Sequence, residues 1–91
     1  MLPLTAAIPR ALAALLRDAP LSPGKVEFAW NASVGPALHR STAVRLEQGV
    51  LLVDAQTAPW ANEVRRSSKI ILRRMQGLLG DDVITEIVVR A

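Results

Sequence analysis

Cysteine is absent from the chain, which excludes disulfides, thiolate nucleophiles and the common structural zinc sites together, and suits a cytoplasmic protein. Histidine is nearly absent. His39 stands alone, so one chain cannot supply a two-histidine metal site, and neither a metal nor another cofactor is expected. Aromatic residues are scarce, with Phe28, Trp30 and Trp60 the whole set. Proteins that hold single strands by stacking present exposed aromatic platforms, whereas both tryptophans here fall on apolar helix stripes and are expected in the core. Nucleic-acid binding would then run on phosphate contacts, with weak sequence preference and strong salt dependence.

Long hydrophobic runs are missing as well. The longest uncharged stretch, Phe28 to His39, has 12 residues and is broken by Asn31, Ser33, Gly35 and Pro36, too short to span a bilayer. The N-terminus lacks the basic region and continuous apolar core of a secretory signal, and Arg10 interrupts it. No membrane association is expected. Catalytic patterns are absent in the same way: there is no glycine-rich phosphate loop, no Ser-His-Asp order and no acid pair at usable spacing. Asp81 and Asp82 follow a helix-ending glycine and read as a turn. His39, beside Arg40 and Ser41, has no identifiable orienting carboxylate, which favours a structural role. The expected protein is not an enzyme and takes no small-molecule substrate.

What is present is one small globular domain. Ninety-one residues with 51% hydrophobic and 21% charged side chains bury roughly 60 to 65% of the unfolded-chain surface. Ile8, Leu12, Leu15 and Leu16 recur at helical spacing, predicting a first helix over about 5–18 that starts between Thr5 and Pro9. Ser22 before Pro23 is an N-cap with proline at the first helical position. Val26, Ala29, Trp30 and Ser33 or Val34 mark the inner face of a helix over about 22–34, which Gly35 and Pro36 end or kink. Alternation over 42–48, a turn at Gly49 and a second run over 50–56 predict a hairpin. Thr57 caps a long helix over about 58–79, with Pro59 in its first turn, and the β-branched run over 83–89 is a third strand. The fold class is therefore α+β in the order α-α-β-β-α-β. The crossover lets the third strand pair in parallel with one hairpin strand, closing a three-stranded sheet with the helices on one face.

The long helix carries the positive excess. From Thr57 to Gly80, Arg65, Arg66, Lys69, Arg73 and Arg74 stand against Glu63 alone, a net of +4; the rest of the chain has six basic and seven acidic residues, a net of −1, giving the overall +3. At 100° per residue, Trp60, Ala61, Val64, Ser68, Ile71, Leu72, Met75, Leu78 and Leu79 form an apolar arc of roughly 120°. Arg65, Lys69, Arg73 and Arg66 form an adjoining arc of about 100°. Lys and Arg on a solvated face also serve helix propensity and solubility, but such a face mixes signs, and this one has almost no acids. The stripe points to a polyanion or to an acidic partner surface. Arg74, Arg40, Arg45 and Lys25 are candidate additional contacts.

Trp30-Asn31-Ala32-Ser33-Val34-Gly35, Leu38-His39-Arg40-Ser41, Leu46 through Gly49-Val50-Leu51-Leu52-Val53, and Thr57-Ala58-Pro59-Trp60-Ala61 with Glu63-Val64 behind it together resemble the DciA family. The resemblance covers roughly Phe28 to Val89, with Trp30, Gly35, Gly49, Pro59 and Trp60 as its structural signature. It implies a fold similar to a type II KH domain, and a role in loading or operating the hexameric replicative DNA helicase of bacteria. It also implies binding to DNA, single-stranded in particular, and work in the cytoplasm at the nucleoid. Many members similar to this chain continue past the KH-like domain with a flexible tail that helps engage the helicase. KH domains grip strands through a Gly-x-x-Gly loop between two helices; Gly77-Leu78-Leu79-Gly80 has the letters but reads as a helix C-terminus. Two other readings stand beside this one: a module for an acidic protein partner that never touches nucleic acid, and an RNA-binding KH-like domain.

Overall fold

Helix starts follow the caps. The computed structural model describes residues 10–91, the side chains of residues 12, 13 and 17 excepted. α1 (Arg10–Asp18) is the described part of the first helix, and its expected start lies outside the described residues. Leu16 packs against the core, while Leu15, expected on the same stripe, is 70% exposed. Consecutive helical residues point 100° apart, and only one of the pair faces inward. In α2 (Pro23–Val34), the Ser22 hydroxyl accepts from the Lys25 N–H at 3.1 Å and Pro23 opens the helix. Val26, Ala29, Trp30, Ser33 and Val34 are all buried, as the spacing predicts.

Gly35 (φ +85°) ends α2, but the chain then makes α3 (Pro36–Arg40), a five-residue helix that the sequence reading lacks. The fixed φ of Pro36 suits a first helical position, and the extra turn delivers Leu38 to the core. β1 (Thr42–Glu47) and β2 (Val50–Ala55) form the expected antiparallel hairpin, in register from Thr42 opposite Ala55 to Glu47 opposite Val50. Gln48 (φ +50°) and Gly49 (φ +83°) close it with two left-handed residues, the arrangement that matches strand twist in a two-residue loop.

The expected long helix is two helices. α4 (Ala58–Arg66) begins at Thr57, whose hydroxyl accepts from the Trp60 N–H at 3.4 Å, and α5 (Ser68–Leu79) follows after one non-helical residue, Ser67 (φ −99°, ψ 6°). The cause is local chemistry joined to packing. Serine competes with the helix for backbone hydrogen bonds, and the Ser67 N–H, shared between the Glu63 and Val64 carbonyls at 3.2 Å each, terminates α4. The two helices also have different neighbours, α4 lying on β2 and β3 while α5 lies against α1 and α2 as well as β3. A periodicity measured at a constant 100° passes through such a break without registering it.

β3 (Glu86–Arg90) starts three residues later than the 83–89 reading. After Gly80 caps α5 through its N–H to the Gln76 carbonyl at 2.8 Å, residues 81–83 turn, and Ile84 is driven wholly into the core. Pairing to β2 is parallel, from Val50 beside Glu86 to Asp54 beside Arg90, and the strand order is β1-β2-β3. The mixed three-stranded sheet with its helices is the small α+β architecture that the KH-like resemblance implies, elaborated by α3 and by the division at Ser67.

Val44, Leu46, Leu51, Val53, Ile87 and Val89 face the helices and join Trp30, Ile71, Met75, Leu78 and Ile84 in one core. Ala43, Arg45, Glu47 and Asp54 lie on the other, open face, where Arg90 pairs with Asp54 at 3.0 and 3.2 Å. Trp30, 1% exposed, donates from Nε1 to Thr42 Oγ1 at 2.9 Å, and that hydroxyl donates onward to the Leu38 carbonyl at 2.6 Å. One relay thereby ties α2, α3 and β1 together while satisfying the indole N–H that burial would otherwise leave unpaired.

Candidate nucleic-acid interface

The four stripe residues gather around the joint between α4 and α5. Arg65 and Arg66 occupy the last turn of α4, where cations complement the carbonyl end of a helix, and Lys69 and Arg73 occupy the first two turns of α5. The apolar faces stay inside on both helices: Ala61 and Val64 from α4, and Ile71, Met75, Leu78 and Leu79 from α5, are buried. Trp60, Ser68 and Leu72, expected on the same arc, are half-buried.

The cations are held differently. Arg65 is exposed but tethered at two points, donating from Nη1 to Asn62 Oδ1 at 3.1 Å and from Nη2 to the Val89 carbonyl at 3.3 Å. Arg66 forms an ion pair with Glu63, the one acid of this segment. Lys69 and Arg73 are exposed and have no ion-pair or hydrogen-bond partner for their side chains among the described residues. The joint thus offers two pre-positioned guanidinium groups and two uncommitted cations.

The additional candidates do not all join this surface. Arg74 is half-buried and donates from Nη1 to the Ser33 carbonyl at 3.1 Å, bracing α5 against the end of α2. Arg45 lies on the open face of the sheet, paired with Glu47 at 2.8 Å, and so faces away from the helices. Arg40 is exposed at the end of α3, which packs on α2 and on β1, the strand at the other edge of the sheet from β3. Lys25, expected as a surface cation, is instead buried at 8% exposure, its ammonium donating to the Ala19 carbonyl at 2.6 Å. That bond ties the end of α1 to the start of α2.

His39 does have a carboxylate beside it, Glu27 Oε1 at 3.1 Å from Nε2, because α3 folds back along α2; the pair sits at the surface and gathers no nucleophile. Gly77 to Gly80 is the end of α5, with Leu78 and Leu79 buried, as read. The shallow depression beside it, lined by Gln76, Gly77, Gly80 and Asp81, carries no cation. The joint between two helices is held by Arg66-Ser67-Ser68-Lys69 instead, with side chains where a gripping loop has glycines. Among the described residues no group of His, Asp and Glu side chains is arranged to hold a metal, and no helix is long and apolar enough to cross a membrane.

Residues 3–89 of the chain match a protein-family model described as "Dna[CI] antecedent, DciA". Over 69 residues the chain is 32% identical to a UPF0232 protein of Mycolicibacterium smegmatis, an alignment covering 75% of this chain and 36% of that protein. The chain thus spans little more than a third of the length of this curated relative. No solved structure matches it.

Proposed function

The chain belongs to the DciA family, and from that premise we propose that it is a non-enzymatic accessory of bacterial DNA replication that contacts the hexameric replicative helicase and binds DNA at the joint between α4 and α5. Family membership supports the replication role; the contact with the helicase rests on what the family resemblance implies. The observation that carries DNA binding is the segregation of charge. Five of the chain's cations lie between Thr57 and Gly80, and Lys69 and Arg73 have their charges uncompensated among the described residues. Lys69 and Arg73 meet phosphates directly, Arg65 presents a guanidinium fixed by Asn62 and the Val89 carbonyl, and Arg66 exchanges Glu63 for a phosphate oxygen. The family's work in replication supports a place in the cytoplasm, and work at the nucleoid goes with the proposed DNA binding.

Fluorescence anisotropy over a salt series tests this reading. Four neutralised phosphates give a log–log slope of about −3 on single-stranded DNA. Charge reversal at Arg65, Lys69 and Arg73 together abolishes binding at moderate salt; binding unchanged by that variant would remove the joint from consideration. Co-purification with the hexameric helicase, with and without nuclease, separates direct contact, which persists, from bridging by DNA, which is lost. Competition between RNA and DNA of equal length addresses the RNA-binding alternative.

A further inference from the structure

Ile70 is 48% exposed on α5, next in sequence to the uncommitted Lys69 and one turn before the uncommitted Arg73. A single exposed aliphatic side chain ordinarily needs no explanation, but the surroundings of this one are unusual. Arg73 and Arg74 stand three and four residues on, one turn along the same flank. Helical side chains lean toward the preceding turn, which brings Ile70 toward the joint where Arg65 and Arg66 end α4. The buried face of α5 is already filled by Ile71, Met75, Leu78 and Leu79, so core packing does not call for Ile70. Helix propensity does not call for it either, since a β-branched residue is a poorer choice on an exposed helix face than the Lys and Arg beside it. The position holds apolar surface at the border of the cationic flank.

On the reading that this joint binds DNA, we propose that Ile70 is its base-contacting residue: while Lys69 and Arg73 hold successive phosphates, the Ile70 side chain packs on an unpaired base and gives the interface its preference for single-stranded over duplex DNA. In a duplex the base faces are stacked inside, and a helix laid along the backbone meets only phosphate and sugar, against which an aliphatic side chain gains little. In a single strand the base faces are open, and any apolar surface beside the phosphate contacts can cover one. The aromatic side chains that usually do this are unavailable on the two helices of the joint, where Trp60 is half-buried against the core. An aliphatic contact carries no hydrogen-bond code, so the preference is for strand state and not for sequence.

Anisotropy with the full chain, on a labelled mixed-sequence single strand and on a duplex of the same length at fixed salt, tests the proposal. Ile70→Ala weakens single-strand binding about three- to tenfold, the scale of burying part of one aliphatic side chain. It leaves duplex binding within about twofold and the salt slope unaltered, because no charge is removed. Ile70→Phe tightens single-strand binding. Lys69→Ala weakens both ligands and flattens the slope by about 0.7 on the single strand. If Lys69→Ala and Arg73→Ala weaken binding while neither Ile70 variant distinguishes the two ligands, the base contact is wrong and the DNA-binding reading stands. If the chain binds neither ligand, or the cation variants change nothing, both fall. Loss of helicase capture by Ile70→Ala with DNA binding intact reassigns the side chain to a protein contact and overturns the proposal.

Discussion

Arg65, in the last turn of α4, donates to the carbonyl oxygen of Val89 in β3 at 3.3 Å, so one cation of the basic joint also clasps the edge of the sheet. The two roles differ in cost. A hydrogen bond from an exposed guanidinium is worth little to stability, because water competes for both groups, whereas a guanidinium held in place before a phosphate arrives saves the entropy of fixing it.

Arg65→Ala is accordingly expected to cost no more than about 0.5 kcal/mol in urea unfolding, yet to weaken single-stranded DNA binding and flatten its salt slope by about 0.7. Arg65→Lys keeps the charge and the slope but lacks the planar fork that reaches Asn62 and Val89 together, so its affinity falls between the two. A salt series on the three proteins orders them.

Glu63 neutralises Arg66 from one turn away. Glu63→Gln removes the only acid of the segment and releases Arg66, so DNA affinity rises, by about threefold at low salt, and the gain fades as salt screens it. Thermal unfolding stays within about 2 °C, since an exposed ion pair contributes little. Weaker DNA binding by this variant would contradict the assignment of Arg66.

Lys25→Met separates structure from binding. The ammonium of the buried Lys25 bridges to the Ala19 carbonyl, so its removal takes away a charge-assisted hydrogen bond between α1 and α2 and destabilises the fold by roughly 1 to 2 kcal/mol. DNA affinity per folded molecule and the salt slope are unchanged, because this charge lies outside the joint. Urea unfolding and anisotropy on the same preparation give both readouts.

Gly49→Ala tests the hairpin. At φ +83° a side chain is strained, and its Cβ would stand 3.2 Å from Thr85 Oγ1. The Gly49 carbonyl also accepts from the Thr85 N–H at 2.8 Å, where the chain enters β3. A loss of roughly 1 to 3 kcal/mol is expected, with near-normal DNA binding by the fraction that remains folded.

Features carried by neighbouring residues were legible in the sequence. Ser22 and Thr57 cap as their types suggest, Gly49 turns the hairpin, and the spacing of Val26, Ala29, Trp30 and Val34 marks a buried face. Misreadings arise where tertiary context decides. Val83 and Ile84 look like strand but are spent on a turn and the core; Pro36 looks like an end but also begins a helix; Lys25 looks like a surface cation but is drawn under the end of α1. In the candidate site the crowding of cations is a local property and could be read directly. What each cation touches could not: Arg65 reaches across 24 residues to Val89 and Arg74 across 41 to Ser33.

The turn at Ser67 gives the joint a geometric consequence. On one straight helix Arg65, Arg66, Lys69 and Arg73 would lie along a line, and a rod could touch them all. Divided between two helices with the non-helical Ser67 between them, they belong to two rigid pieces. A duplex, stiff over a persistence length of about 50 nm, fits both pieces only as they stand or bends at a cost. A single strand, free to rotate at every nucleotide, adapts to both. On the proposed reading, the division at Ser67 adds to the single-strand preference that Ile70 sets.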